Sequence, residues 1–333
     1  MGHFDLRNRV VMGLAGVLLA GVAALGLAGC GEQPADGADD GRPEIVVTTG
    51  MIADMVRHTV GEHANVTALM GEGVDPHLYR PTRRDVLRLQ DADIVVYNGL
   101  FLEGRMGDVL EQQRQAGRHV VAVGDWLDEA MLLDDEANAE HADPHVWMDV
   151  DLWSRLVDRF GDWMGEVDPD HTDDYRANAD RYIAELTELH DYVQQVIDSI
   201  PAEHRVLVTA HDAFNYFGLA YDIEVRGVYG ISTDSQAGTH DINRLVDLIV
   251  ERQLPAVFAE STIDDRRVRG LIEGAASRDH TLRLGGELFS DAMGAADTYE
   301  GTYIGMIDHN ATTIARALGG DAPERGLHGR LGE

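Results

Sequence analysis

Beyond residue 43 the chain alternates short apolar runs with stretches of helical period. Glu44–Thr49, Val66–Met70, Ile94–Asn98 and His119–Val123 are runs of five or six residues, mostly β-branched, and predict buried strands. Ile52–Val60, Thr82–Gln90 and Glu103–Gln115 carry helical patterns between them. Thr82-Arg83-Arg84-Asp85 has the spacing of a capping box, with Asp in place of the usual Glu, so a helix is expected to start there. This alternation predicts a mostly parallel sheet covered by helices.

The middle of the chain reads differently. Asp151–Gly165 predicts one helix, and a second stretch runs from about His171 to Ile200 with no Gly or Pro. Its apolar positions Tyr175, Tyr182, Ile183, Leu186, Leu189, Val193, Val196 and Ile197 recur mostly every three or four residues. At 1.5 Å per residue such a helix is roughly 45 Å long, enough to join two lobes. A second series then repeats the first pattern: apolar runs at Val206–Thr209, Glu224–Val228, Ala256–Glu260 and Leu282–Leu284, helical ones at Ala213–Leu219, Asp241–Gln253, Asp264–Ser277 and Thr302–Leu318. The expected fold class is α/β: two lobes, each a mostly parallel sheet with flanking helices, joined by one long connecting helix. The lobes are expected at residues 44–170 and 201–320, the connector at 171–200, and a flexible, Gly-rich tail at 321–333.

The first thirty residues are of another kind. Arg7 and Arg9 precede an apolar stretch, Val10 to Leu27, which ends at Leu27-Ala28-Gly29-Cys30. It is too short and too rich in small residues for a good membrane span, and predicts a signal peptide over 1–29. The final four residues resemble a bacterial lipobox, which makes Cys30 the expected lipidation site and membrane anchor. Cys30 is the only cysteine, so the chain can form no internal disulfide. Residues 30–43 are nearly devoid of apolar side chains and read as a disordered tether.

Composition adds one constraint. The net charge is −32, and all 27 basic residues are Arg. Such a surface repels nucleic acid and anionic membranes, so no nucleic-acid partner is expected; it reads first as a solvated acidic coat.

Candidate chemistry lies in four places. The tripeptide Asp-Pro-His occurs twice, as Asp75-Pro76-His77 and Asp143-Pro144-His145. A third histidine follows in Ala210-His211-Asp212 and an acid in Phe289-Ser290-Asp291. Each group is expected just after a buried strand, where strand ends converge on a cleft. Three imidazoles and a carboxylate are a complete ligand set for a transition metal. His77, His145, His211 and Asp291 fit zinc directly; a bidentate Asp291 would also suit manganese or iron(II). Asp75, Asp143 and Asp212 either orient the imidazoles or cap turns. Pro76 and Pro144 stiffen the backbone before each ligand. His141, in the acidic stretch before the second tripeptide, is a weaker candidate for loose metal capture.

These segments resemble the solute-binding lipoproteins of zinc and manganese ABC transporters, the cluster A-I or TroA-like group. The likeness rests on Asp75–Thr82, Asp143–Asp149, His211–Gly218, Phe258-Ala259-Glu260-Ser261, Gly285–Asp291 and Gly301–Asn310, in family order over about residues 44–318. The resemblance implies two α/β lobes with a metal buried between them, bound by His77 and His145 from the first and by His211 and Asp291 from the second. It implies an extracytoplasmic protein, held to the cell membrane by lipidated Cys30, that delivers metal to an ABC permease and its ATPase subunit. Manganese members often carry Glu where this chain has His211, and zinc members a long His-rich loop where this chain is short and acidic. The two signs oppose each other, and the order of zinc and manganese stays open.

A metallohydrolase and a metal-stabilised adhesion or scaffold protein are the competing readings. A catalytic zinc needs an open water position and a general base, which four protein ligands leave no room for, so no enzyme is expected. A structural site would couple metal binding to folding.

Overall fold

The computed structural model describes residues 41–135, 141–234 and 239–332. The expected signal peptide, Cys30 and most of the expected tether lie outside the described residues. No helix among the described residues is long and apolar enough to cross a membrane.

Four parallel strands open the fold: β1 (Glu44–Val47), β2 (Asn65–Ala68), β3 (Ile94–Tyr97) and β4 (His119–Ala122), in the order β2-β1-β3-β4. Ile45 pairs with Val66 on one side and Ile94 on the other, and Ile94 pairs with His119. The sheet is covered on both faces, which is why its strands read as apolar runs rather than alternations. Ile45, Val47, Ile94 and Val96 join the main core, whereas Val46 and Val95 pack with Leu89 and Leu110. Those two leucines belong to α2 (Arg83–Asp91) and α3 (Gly107–Gln115). The helix α1 (Gly50–Val60) is capped by Thr49, whose side chain accepts from Ile52 N. The capping box at α2 forms in both directions between Thr82 and Asp85.

The second series builds two parallel pairs, β5 (Val206–His211) with β6 (Glu224–Tyr229) and β7 (Ala256–Glu260) with β8 (Arg283–Leu288). β5 lies beside β7. Helices α6 (Asn215–Tyr221), α7 (Thr239–Glu251), α8 (Arg266–Ala276) and α9 (Tyr303–Ala317) accompany these strands.

Between the series stand α4 (Val150–Val167) and α5 (Thr172–Asp198). The expected connector is thus 27 residues long, entered by a short 3₁₀ turn at Pro169–His171; its length is about 40 Å. One stripe of α5, including Tyr175, Tyr182, Leu186, Leu189, Val193 and Ile197, is buried. It packs on α1 and α4 of the first lobe and on α6 and α9 of the second. The two lobes therefore share one core along the connecting helix, in which Ile45 and Trp153 belong to the same cluster as Phe258 and Ile314.

Four expectations are corrected. The helix expected from Glu103 begins at Gly107, because Leu100 (φ 53°) and Phe101 (φ 65°) turn left-handed and Glu103 folds inward. There its carboxylate accepts from Thr48 Oγ1 at 2.7 Å and Asn98 N at 2.8 Å. The short strand expected at Leu282–Leu284 runs on through Gly285 and Gly286 to Leu288. Gly285 is needed because a Cβ there would lie 2.6 Å from the Phe258 ring. The second Asp-Pro-His does not follow a strand; it follows Ala142, which forms an isolated bridge with Asp134, and precedes a 3₁₀ turn. The tail expected to fray is fastened: Asp308 accepts from Leu327 N at 3.0 Å, and Asp321 N donates to Ser199 Oγ at 2.7 Å.

Candidate metal centre

Four separate segments converge at the carboxyl ends of the strands, where open α/β sheets place their ligands. His77 lies in the loop between β2 and α2. His145 opens the 3₁₀ turn before α4, His211 ends β5, and Asp291 lies three residues beyond β8. One ligand atom from each, taken together, falls within 4.8 Å of all the others. His77 Nε2 is 3.2 Å from His145 Nε2 and 3.7 Å from Asp291 Oδ2. His145 Nε2 is 3.3 Å from Asp291 Oδ1, and His211 Nε2 is 3.2 Å from Asp291 Oδ2. A tetrahedron with bonds of about 2.0–2.1 Å has edges of about 3.3–3.4 Å, so these spacings suit an ion of zinc's size.

Burial makes the arrangement costly without a cation. His145 and His211 have no exposure, Asp291 2% and His77 8%. His211 Nε2 and both oxygens of Asp291 have no hydrogen-bond partner among the described residues, since the ring nitrogens approach without the alignment of a hydrogen bond. Buried polar atoms left this way cost free energy unless something absent from the protein satisfies them.

The rings are oriented from behind. Asp143 Oδ1 accepts from His145 N at 3.0 Å and meets the ring Nδ1 at 2.6 Å. Glu260, the last residue of β7, accepts from His211 N at 2.8 Å and meets its Nδ1 at 2.5 Å. A proton held on Nδ1 leaves the Nε2 lone pair facing the centre, the state a metal requires. Asp143 thus both caps its turn and orients its imidazole. Asp75 does only the former, taking His77 N at 2.8 Å and Leu78 N at 3.4 Å. Asp212 accepts from Gly227 N.

Charge follows this geometry. Burial disfavours the charged form of His145, yet Asp143 and Asp291 outweigh it and hold the ring up at about 9. Burial prevails at His77 and lowers it to about 3. It likewise opposes ionisation of Asp291, but His211 and His145 keep that carboxyl well below its ordinary range.

Residues with no role assigned from sequence complete the frame. Asn310 brackets the segment before Asp291, accepting from Phe289 N at 2.9 Å and donating to Phe289 O at 2.7 Å. Trp147 Nε1 donates to Ser290 O at 2.9 Å. Glu260 had a readable signal, as an acid closing the buried run Ala256–Ala259. His141 stands outside the centre, its ring stacked 3.8 Å from that of Phe101. Both line a cavity of about 260 Å³ that also reaches His77.

The chain matches the family model described as zinc-uptake complex component A, periplasmic, over residues 45–317. It is 42% identical over 308 residues to the manganese-binding lipoprotein MntA of Bacillus subtilis, covering 92% of this chain and 98% of that one. It is 47% identical over 283 residues to the zinc-binding protein TroA of Treponema pallidum, covering 85% and 91%. The solved structure of the periplasmic zinc-binding TroA superposes with a TM-score of 0.80 at 45% identity, covering 83% of this chain and 99% of that one.

Proposed function

The chain belongs to the zinc-uptake complex component A family, and on that premise we propose that it captures a divalent transition metal outside the membrane and delivers it to an ABC permease driven by its ATPase subunit. His77, His145, His211 and Asp291 are the ligands, two from each lobe, with the lobes taken as residues 44–170 and 201–320. The observation that carries this reading is the buried Asp291 carboxylate, faced by three imidazoles and reached by no aligned hydrogen-bond donor among the described residues. Relatives named for manganese and for zinc support a site that takes both metals. Three nitrogens and the Irving–Williams order make zinc the tighter of the two at equilibrium. The lipid on Cys30 holds the protein at the outer face of the membrane, and residues 31–43 let it reach the permease.

The site is one of transport, not catalysis. Its four protein ligands fill a tetrahedron and leave no position for an activated water. Elemental analysis of protein purified from its native envelope, followed by zinc and manganese competition, tests the reading. One tightly held ion per chain is expected, lost in His211→Ala. An unchanged metal content in that variant refutes the ligand assignment.

A further inference from the structure

The four residues of the centre are not held alike. His145 and His211 are clamped through their rings by Asp143 and Glu260. Asp291 is fixed through its backbone neighbours, Ser290 O on Trp147 and Phe289 on Asn310. His77 has no carboxylate behind its ring among the described residues. It rides on a loop between β2 and α2 with no regular structure, and it lines the cavity open to solvent. Its middle is tied across the cleft to the other lobe. Thr233 Oγ1 donates to Asp75 Oδ2 at 2.6 Å, while the opposite oxygen of Asp75 holds the His77 backbone. A few residues earlier the loop nears the second lobe again, where a Cβ on Gly73 would lie 3.8 Å from Ser261 O.

We propose that Thr233 is a positioning residue for metal retention: its hydroxyl holds the His77 loop across the cleft through Asp75, and His77 is the ligand whose departure lets the metal go. The inference rests on the reading of the four residues as ligands. It assigns the metal's path to the one unclamped imidazole and its residence time to a side chain that touches no metal.

Zinc release into excess chelator, followed in wild type, Thr233→Val and Thr233→Ser, tests it. Valine keeps the shape and removes the donor to a carboxylate, which is expected to speed release on the order of tenfold. Serine restores the hydroxyl and should release at nearly the wild-type rate, and all three metal-free proteins should share one melting temperature. Release from Thr233→Val at the wild-type rate overturns the inference, as does equal acceleration in both variants or a metal-free melting temperature lowered by valine alone. A wild-type protein that retains no zinc overturns the ligand reading itself, and this inference with it.

Discussion

Glu260→Gln is the sharpest test of how the centre prepares its ligands. The native carboxylate is 2% exposed and receives two N–H groups of His211, one from the backbone at 2.8 Å and one from the ring at 2.5 Å. Glutamine has nearly the same shape but only one acceptor oxygen. Whichever way its amide turns, one of the two N–H groups meets an NH₂. If the backbone bond is kept, the ring must accept at Nδ1 and carry its proton on Nε2. That atom, 3.2 Å from Asp291, then has no lone pair for the metal. The loss is one hydrogen bond to a charged acceptor, about 1.5–3 kcal/mol. At 1.4 kcal/mol per decade this is about 10- to 100-fold in affinity, the range known for partners behind metal-bound histidines. A competition titration against a chelator of known zinc affinity measures it, with melting of the metal-free protein as control. Zinc affinity within about threefold of wild type would refute the reasoning, because the ring would then find its tautomer without Glu260.

Three further outcomes follow from charge. In the metal-free protein His145 is held at about 9 and His77 at about 3, against 6.5 for a free ring. The first contributes stability that is complete below pH 6.5 and lost as pH rises to about 9; the second lowers stability as pH falls from 6.5 toward about 3. The metal-free protein should therefore melt highest between about pH 6 and 7, and a melting temperature still rising at pH 9 would contradict this. With His145 as a ligand, as proposed, zinc has to displace its proton, so affinity should rise with pH up to about 9 and calorimetry in different buffers should show proton release; a flat profile would be the contrary result. At a net charge of −32, raising salt from about 0.1 to 1 M shortens the screening length from about 10 to 3 Å and should raise the melting temperature. A fall would show that the exposed Arg–carboxylate pairs outweigh the general repulsion.

What the sequence revealed was mostly local. β1 and β3 were readable because both faces of each are buried, and the capping box of α2 because Thr82 and Asp85 are three residues apart. The two Asp-Pro-His copies show where such reading ends. In both, the first Asp accepts from the His backbone two residues on, at 2.8 and 3.0 Å. Only Asp143 also meets the ring, and it is further tied to Asn215 Nδ2 at 3.1 Å. That difference comes from α6, far along the chain, and no identical tripeptide can encode it. Glu260 was readable as an acid closing a buried run, but its partner was not, since that depends on β7 lying beside β5. The start of α3 was misread because Glu103 has high helix propensity, and nothing nearby signals that its carboxylate is needed by Thr48 and Asn98.

Relative strengths decide how metal can leave. A wide hinge would have to part the core shared along α5. It would also break Trp147 Nε1 to Ser290 O, Tyr303 OH to Trp147 O and Tyr216 OH to Asp143 O, buried bonds between the lobes at 2.9, 2.7 and 2.9 Å. Each such bond is worth a net of about 0.5–1.5 kcal/mol once water replaces it, so the three together oppose opening by on the order of 2–4 kcal/mol, to which the cost of exposing the apolar surface of the shared core is added. The His77 loop is crossed by far less: one part-buried hydroxyl bond from Thr233, and the ion pair Arg105–Asp234 with its carboxylate largely exposed. Exposed pairs are worth about 0–1 kcal/mol. The weakest part of the enclosure is therefore also the part that carries the unclamped ligand. On the function proposed above, a permease that engages this rim would discharge the site by displacing one loop, while His145, His211 and Asp291 stay in place for the next ion.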